Sequence, residues 1–239
     1  MNRNSMTVVV PIYNEIDNLD RLYERCEHYR KSASIPVDYL LIDDGSSDGS
    51  REKIEAICQK EGFNALFFDR NYGLSSAIKA GIDRCQKPLI GYIDADLQTT
   101  PDDFEKLLAK LPGHDAVVGY RAKRKDTLAK RLQSKLANAI RRQLIDDGII
   151  DTGCPLKIIR TEMAKTIPFF DGMHRFIPAL VQLYGGKVAQ VEVRHFERVA
   201  GESKFNIFNR SIRPLQDLFA YRWMKSRHIH YRIERQCHE

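Results

Sequence analysis

The sequence predicts an α/β protein with a mostly parallel central sheet and a C-terminal amphipathic helix. Three observations carry that expectation. Short runs rich in Val, Ile, Leu and Tyr alternate with longer stretches whose apolar residues recur at helical spacing, the pattern of βα units. One short run, Leu89 to Ile93, is almost free of polarity and leads into Asp94-Ala95-Asp96, as in a strand buried on both faces with carboxylates at its C-terminal tip. Finally, Ile207 to Arg227 interleaves Ile207, Phe208, Ile212, Leu215, Leu218, Phe219, Trp223 and Met224 with Arg210, Arg213, Arg222, Lys225 and Arg227. That is a basic amphipathic helix with aromatics, able either to lie on an anionic bilayer or to dock on the core with a solvated basic face.

In chain order, Thr7 to Pro11 reads as a first strand and Ile16 to Arg30 as a helix, with Asn14 as its N-cap. Val37 to Ile42 is a second strand, ending at Asp43-Asp44-Gly45-Ser46-Ser47-Asp48-Gly49. A helix (Ser50 to Glu61), a strand (Asn64 to Phe68) and a helix (Gly73 to Cys85) lead to the central strand. Pro101, followed by Asp102 and Asp103, opens a helix to about Leu111, because proline fits a first turn and acids complement the helix dipole. Ala116 to Tyr120 is a strand, Thr127 to Leu144 a basic helix, Leu156 to Arg160 and Lys187 to Arg194 strands, and Phe176 to Tyr184 the helix between them. The default topology for such alternation is a parallel sheet.

Composition narrows the function classes. A chain of 239 residues, 43% apolar and 29% charged, is that of a soluble globular protein. No apolar run approaches the roughly 18 residues that span a bilayer, and the N-terminus lacks a signal-peptide pattern, so a cytoplasmic location is expected. Five cysteines without C-x-x-C spacing argue against a disulfide framework or zinc site. The net charge of +6 is uneven: residues 119–142 carry net +8 and residues 194–239 net +5, which leaves −7 on the rest. An acidic body with two basic segments implies a localised anionic partner: phosphate, nucleic acid or a membrane surface. The 119–142 segment lacks interleaved aromatics for base stacking, which argues against nucleic acid.

In open α/β sheets ligands bind at the C-terminal strand ends. Two carboxylates there, Asp94 and Asp96, can hold Mg²⁺ or Mn²⁺ with positions left for substrate phosphates. The first strand runs into Val-Pro-Ile-Tyr-Asn-Glu rather than the glycine fingerprint for a dinucleotide, so a dehydrogenase is not expected.

Six motifs occur in one order: Val10-Pro11-Ile12-Tyr13-Asn14-Glu15, Asp43-Asp44-Gly45-Ser46-x-Asp48, Asn71-x-Gly73-x-x-x-Ala77, Asp94-Ala95-Asp96-Leu97-Gln98, Gly119-x-Arg121, and Arg198-x-x-Gly201-x-Ser203-Lys204. Together they resemble the family 2 glycosyltransferases, and within them the polyprenyl-phosphate (dolichyl-phosphate) sugar synthases, over residues 7 to about 226. The resemblance implies a GT-A fold over residues 1–205. Its nucleotide-sugar half would cover about 1–120 and its acceptor half about 121–205, with 206–239 as a basic segment on the membrane surface. It implies that Pro11, Tyr13, Glu15, Asp44 and Asp94 cradle the nucleotide, that Asp94 and Asp96 hold the metal, and that Asp96, Gln98 and Arg121 act at the reacting centre.

The acceptor is the sharper question. A sugar hydroxyl needs a positioned base, whereas a lipid phosphate is already an anion at neutral pH and needs only cations to hold it. The chain has no Glu-Asp pair and no Gln-x-x-Arg-Trp, motifs often carried by relatives that use hydroxyl acceptors. Arg121, Arg131, Arg198 and Lys204, with Ser134 and Ser203 as hydroxyl donors, are therefore expected to converge on a polyprenyl phosphate. The expected activity is inverting transfer of a hexose from a UDP- or GDP-sugar at the inner face of the cell membrane. The alternative is a saccharide or other hydroxyl acceptor, with Asp151 as base. Many relatives continue into transmembrane helices, and here Ile207 to Arg235 is expected to supply membrane contact.

Overall fold

The computed structural model describes residues 5–122, 145, 147–196, 207–229 and 235, with side chains in the last helix described from residue 216 onward. The strands are β1 (Met6–Ile12), β2 (Val37–Asp43), β3 (Phe63–Phe67), β4 (Leu89–Tyr92), β5 (Ala116–Tyr120), β6 (Lys157–Arg160) and β7 (Val188–Glu192). The helices are α1 (Leu19–Ser32), α2 (Ser50–Ile57), α3 (Leu74–Arg84), α4 (Phe104–Lys110), α5 (Thr161–Thr166), α6 (Ile177–Leu183) and α7 (Ile207–Arg227). One seven-stranded sheet runs β3-β2-β1-β4-β6-β5-β7.

Both faces of the sheet are covered, which is why its inner strands read as near-continuous apolar runs. Met6, Val8, Val10 and Ile12 of β1 join α1, α2 and α4 in one core layer, through Leu19, Leu22, Cys26, Ile54, Phe104 and Leu107. Val9, on the opposite face, joins α3, α5 and α6 in the other, through Ala77, Ile78, Ile82, Ala164 and Leu180. The inner face of α7 closes that second layer: Leu218 and Tyr221 are buried, and Tyr221 stacks on Phe176 and donates to the Ala179 carbonyl.

Six strands are parallel and β6 runs antiparallel between β4 and β5, which agrees with the expected mostly parallel sheet; the default did not say which strand would be reversed. Periodicity reports which faces of a strand are buried and says nothing of its direction. Ile16 to Asn18 forms a 3-10 turn before α1, and Asn14 is not its cap. Asn14 sits instead at φ 51° and accepts the Ser47 N–H, tying two loops together. The helix from Ser50 ends at Ile57, short of Glu61. Pro101 to Asp103 is 3-10 before α4, and α5 was not foreseen. The helix expected over Thr127 to Leu144 lies outside the described residues.

Gly45 shows how tightly the loop after β2 is built. At φ 73° it occupies the left-handed region, and a Cβ there would lie 2.3 Å from the Arg70 carbonyl carbon. Gly45→Ala is expected to lower stability by at least about 1–2 kcal/mol from conformation alone, more with the overlap. A urea midpoint shifted down at constant m checks this, and an unchanged midpoint contradicts it.

Candidate functional site

The site follows from strand lengths. β1 pairs with β2 along all seven residues but with β4 only from Met6 to Val9. Val10 to Ile12 therefore run on beyond the end of β4, and Pro11, which has no N–H to give, lies where that ladder has stopped. β2 and β3 lie to one side of β1 and β4 to the other, so this is the topological switch point of the sheet.

Beyond Tyr92 the chain makes one more bond to β1, from Ile93 N–H to the Val9 carbonyl, and then turns. Asp94 and Asp96 stand on this turn, both partly exposed. The Tyr92 hydroxyl donates to Asp94 Oδ1 at 2.6 Å, and the Gln98 N–H donates to Asp96 Oδ1 at 3.1 Å. Leu97 takes φ 55°, a strained value for a non-glycine residue. Burial, and then the charge on Asp96, raise the Asp94 pKa to about 6, against the opposing pull of Tyr92, Lys157 and Arg121. That is a site short of positive charge, and it fits a hard divalent cation that takes one or two carboxylates and then phosphate oxygens. Among the described residues no group of three or more His, Cys, Asp or Glu converges on one point, so such a cation would share its ligands with a substrate.

Positive charge lies behind the pair. Arg121 follows β5 and meets Asp151 in a bidentate, largely buried ion pair, Nε to Oδ2 at 2.7 Å and Nη2 to Oδ1 at 3.1 Å. Lys157, 2% exposed, donates to the Cys154 carbonyl and lies 5.2 Å from the centroid of the Tyr92 ring. Burial lowers its pKa, while the thiol of Cys154 and the carboxylates of Asp94 and Asp151 raise it. Cys154 is buried and its thiol is pushed up chiefly by that burial, so it is no ready nucleophile.

On the other side of the switch point, loops 13–16 and 44–50 interlock. Asn14 N–H donates to Ser46, Glu15 N–H to Ser50, and Ile16 N–H to Asp48. Asp43 is fully buried against Arg51 and the Ser46 N–H. Asp44 accepts from Asn71 Nδ2 and from the N–H groups of Tyr72 and Gly73, at 2.7 to 3.1 Å. Glu15 accepts from the Asn18 side chain, and Tyr13 is 38% exposed at the mouth. So the carboxylate of Asp44 orders the loop entering α3.

On the acceptor side, Arg131, Ser134, Arg198, Ser203 and Lys204 lie outside the described residues. The approach to the last three is described, and it is pinned. Buried Asp103 accepts from the Arg194 N–H and Nε at 2.7 and 3.0 Å, and the Phe196 N–H donates to the Gln98 carbonyl at 2.9 Å. His174 Nδ1 meets the Ser75 hydroxyl at 2.9 Å, and burial lowers its pKa to about 3, so it is neutral and structural. The contacts of Tyr92, Lys157 and Arg51 were not foreseen from the sequence. A lysine opening an apolar strand was the available sign for Lys157.

This sheet order, with two carboxylates at the tip of a switch-point strand, has the GT-A architecture. The chain belongs to glycosyl transferase family 2, whose model matches residues 7–167. It is 34% identical over 216 residues to the undecaprenyl-phosphate 4-deoxy-4-formamido-L-arabinose transferase of Klebsiella pneumoniae subsp. pneumoniae, covering 89% of this chain and 66% of that protein. It is also 34% identical over 205 residues to the protein of the same name from Edwardsiella ictaluri, covering 84% and 63%. The chain thus spans slightly under two thirds of the length of these relatives. Among solved structures it resembles mannosyl-3-phosphoglycerate synthase from Rubrobacter xylanophilus, with TM-score 0.72 and 17% identity over 96% of this chain and 77% of that one. The glucosyl-3-phosphoglycerate synthase of Mycobacterium tuberculosis, solved with Mn²⁺ and UDP-glucose, gives TM-score 0.66 and 16% identity over 91% and 78%.

The raised Asp94 pKa sets a pH dependence. Its folded value exceeds the unfolded one, so its contribution to stability is fully present below about pH 4 and is lost as pH rises through about 6. Carboxyl ¹³C titration of the metal-free protein is expected to show one aspartate titrating near 6, moving down in Asp96→Asn. A normal value for every aspartate contradicts it.

Proposed function

We propose that this protein transfers a sugar from a nucleotide sugar to a polyprenyl phosphate at a membrane surface. The observation that carries this reading is the pair Asp94 and Asp96 at the switch-point tip, joined through the Gln98 carbonyl to the strand end that leads into Arg198-x-x-Gly201-x-Ser203-Lys204. One hydrogen bond thus couples the acidic turn to Phe196, just before the residues expected to hold acceptor phosphate.

Asp94 and Asp96 would hold Mg²⁺ or Mn²⁺, which supplies Lewis-acid neutralisation of the departing nucleoside diphosphate. Tyr13, Pro11 and Glu15 line the nucleoside side, with the loop that Asp44 holds in place. Gln98 stands beside the reacting centre. Direct displacement by the acceptor inverts the anomeric carbon. A phosphate acceptor needs no base, and both Asp151 oxygens already accept from Arg121, an arrangement that does not favour Asp151 as base for a hydroxyl acceptor. In this reading Arg121 adds fixed positive charge behind the diphosphate. Arg131, Ser134, Arg198, Ser203 and Lys204 hold the acceptor phosphate, cations and hydroxyls being suited to an anion. Relatives named for undecaprenyl phosphate support this acceptor. Residues 1–205 form the catalytic unit in this reading and 206–239 the membrane-surface segment, on the inner, cytoplasmic face.

No described helix is long and apolar enough to cross a membrane. α7 docks through Leu218 and Tyr221 and turns Phe219 (61% exposed) and Trp223 (68% exposed) outward, beside exposed Arg222 and Arg227. That outer stripe suits an anionic bilayer.

Incubation with undecaprenyl phosphate, Mg²⁺ or Mn²⁺ and labelled UDP- and GDP-linked hexoses and pentoses is expected to move label into the lipid phase. Asp96→Ala should abolish this at a melting temperature no lower than that of wild type, since a strand-tip carboxylate adds little to the core and its loss relieves repulsion on Asp94. No label in lipid with any donor overturns the proposal. Separately, the double change Phe219→Ser, Trp223→Ser is expected to weaken sedimentation with anionic vesicles at least tenfold. Unchanged sedimentation removes α7 as the contact.

A further inference from the structure

Lys157 is hard to explain as packing. It opens β6, whose next two residues are buried isoleucines, and it is 2% exposed. A methionine of similar length would fill the same space without the cost of removing an ammonium group from water. The antiparallel register places Lys157 directly opposite Tyr92. The ammonium lies 5.2 Å from the Tyr92 ring centroid and is anchored there by the Cys154 carbonyl. At the edge of the same ring, the hydroxyl donates to Asp94 Oδ1 at 2.6 Å. A cation over a phenol face is attracted to the ring and draws electron density from it, which makes the hydroxyl a better donor. Ammonium, ring, hydroxyl and carboxylate thus form one continuous line ending at the acidic pair.

We propose that Tyr92 and Lys157 are positioning residues for Asp94: the pair fixes one carboxylate oxygen, leaves the other for a divalent cation, and offsets repulsion from Asp96 with a fixed charge that is not itself a ligand. The inference rests on the reading of Asp94 and Asp96 as metal-holding residues and deepens it. Neither residue touches substrate. Partners that orient ligands from behind commonly change metal affinity about 10–100-fold when removed.

The test is equilibrium dialysis against ⁵⁴Mn²⁺, alone and with UDP or GDP, using wild type, Asp96→Ala, Tyr92→Phe, Lys157→Met and Lys157→Arg, with melting curves for each. Wild type against Asp96→Ala tests the underlying metal reading. If those two retain Mn²⁺ equally in every condition, that reading falls and this inference with it. Given a difference there, Tyr92→Phe and Lys157→Met are expected to weaken Mn²⁺ retention about 10–100-fold while remaining folded, with Lys157→Arg restoring most of it. Retention within about twofold of wild type in both variants overturns the inference and leaves the metal reading standing. Loss that only tracks the unfolded fraction, with no rescue by arginine, also overturns it and assigns Lys157 to the core.

Discussion

Two like charges at the end of a buried strand are the constraint around which this molecule is arranged. Like charges held close together away from bulk water repel, and Asp94 feels that repulsion from Asp96. Asp94 and Asp96 persist because the fold sets opposite charge behind them, and the compensation is partial. Arg121 is shared with Asp151, and Lys157 acts through the Tyr92 ring. Asp94 consequently remains well above the usual carboxylate range. A site that fully neutralised its acids would have no use for a cation; one with no backing charge would leave them protonated.

Seen this way, the antiparallel β6 is a requirement of the site. It is the strand that carries Lys157 to the flank of β4, and the turn before it carries Cys154, with Asp151 a few residues earlier to hold Arg121. A parallel strand in that slot would enter from the opposite end of the sheet and bring its N-terminal residue to the far side from Asp94. Direction here decides which side chains reach the acidic tip.

Local features were legible in the sequence. The alternation of apolar runs gave the layered sheet, and Asp-Ala-Asp at the end of one run marked the tip. Features that depend on pairing were not legible. Nothing in Lys157-Ile158-Ile159-Arg160 says which strand it will lie beside, so neither the antiparallel insertion nor the Lys157–Tyr92 contact could be read off. Asp43 and Asp44 are adjacent letters, and nothing local tells their surroundings apart. In the fold Asp43 turns inward to Arg51, and Asp44 turns toward the N–H groups of Tyr72 and Gly73. Asn14 looked like a helix cap and became a loop cross-link, because Ser47 arrives from 33 residues away to donate to it.

The last helix docks on the core and keeps an unburied outer face. An amphipathic helix was expected either to dock on the core or to lie on a bilayer, and α7 has enough faces for both. Leu218 and Tyr221 point inward, and Lys225 reaches the Ile145 carbonyl. Phe219, Arg222, Trp223 and Arg227 fall within one outward stripe. Docking fixes the helix, so on the proposed reading a membrane would meet a preordered surface with no folding cost subtracted. Burying one Phe side chain is worth about 1.5–3 kcal/mol, with a comparable gain from the Trp, and each arginine near an anionic surface about 1 kcal/mol. On the proposed reading such a total would give reversible association, suited to an acceptor held in the membrane and a donor dissolved in water.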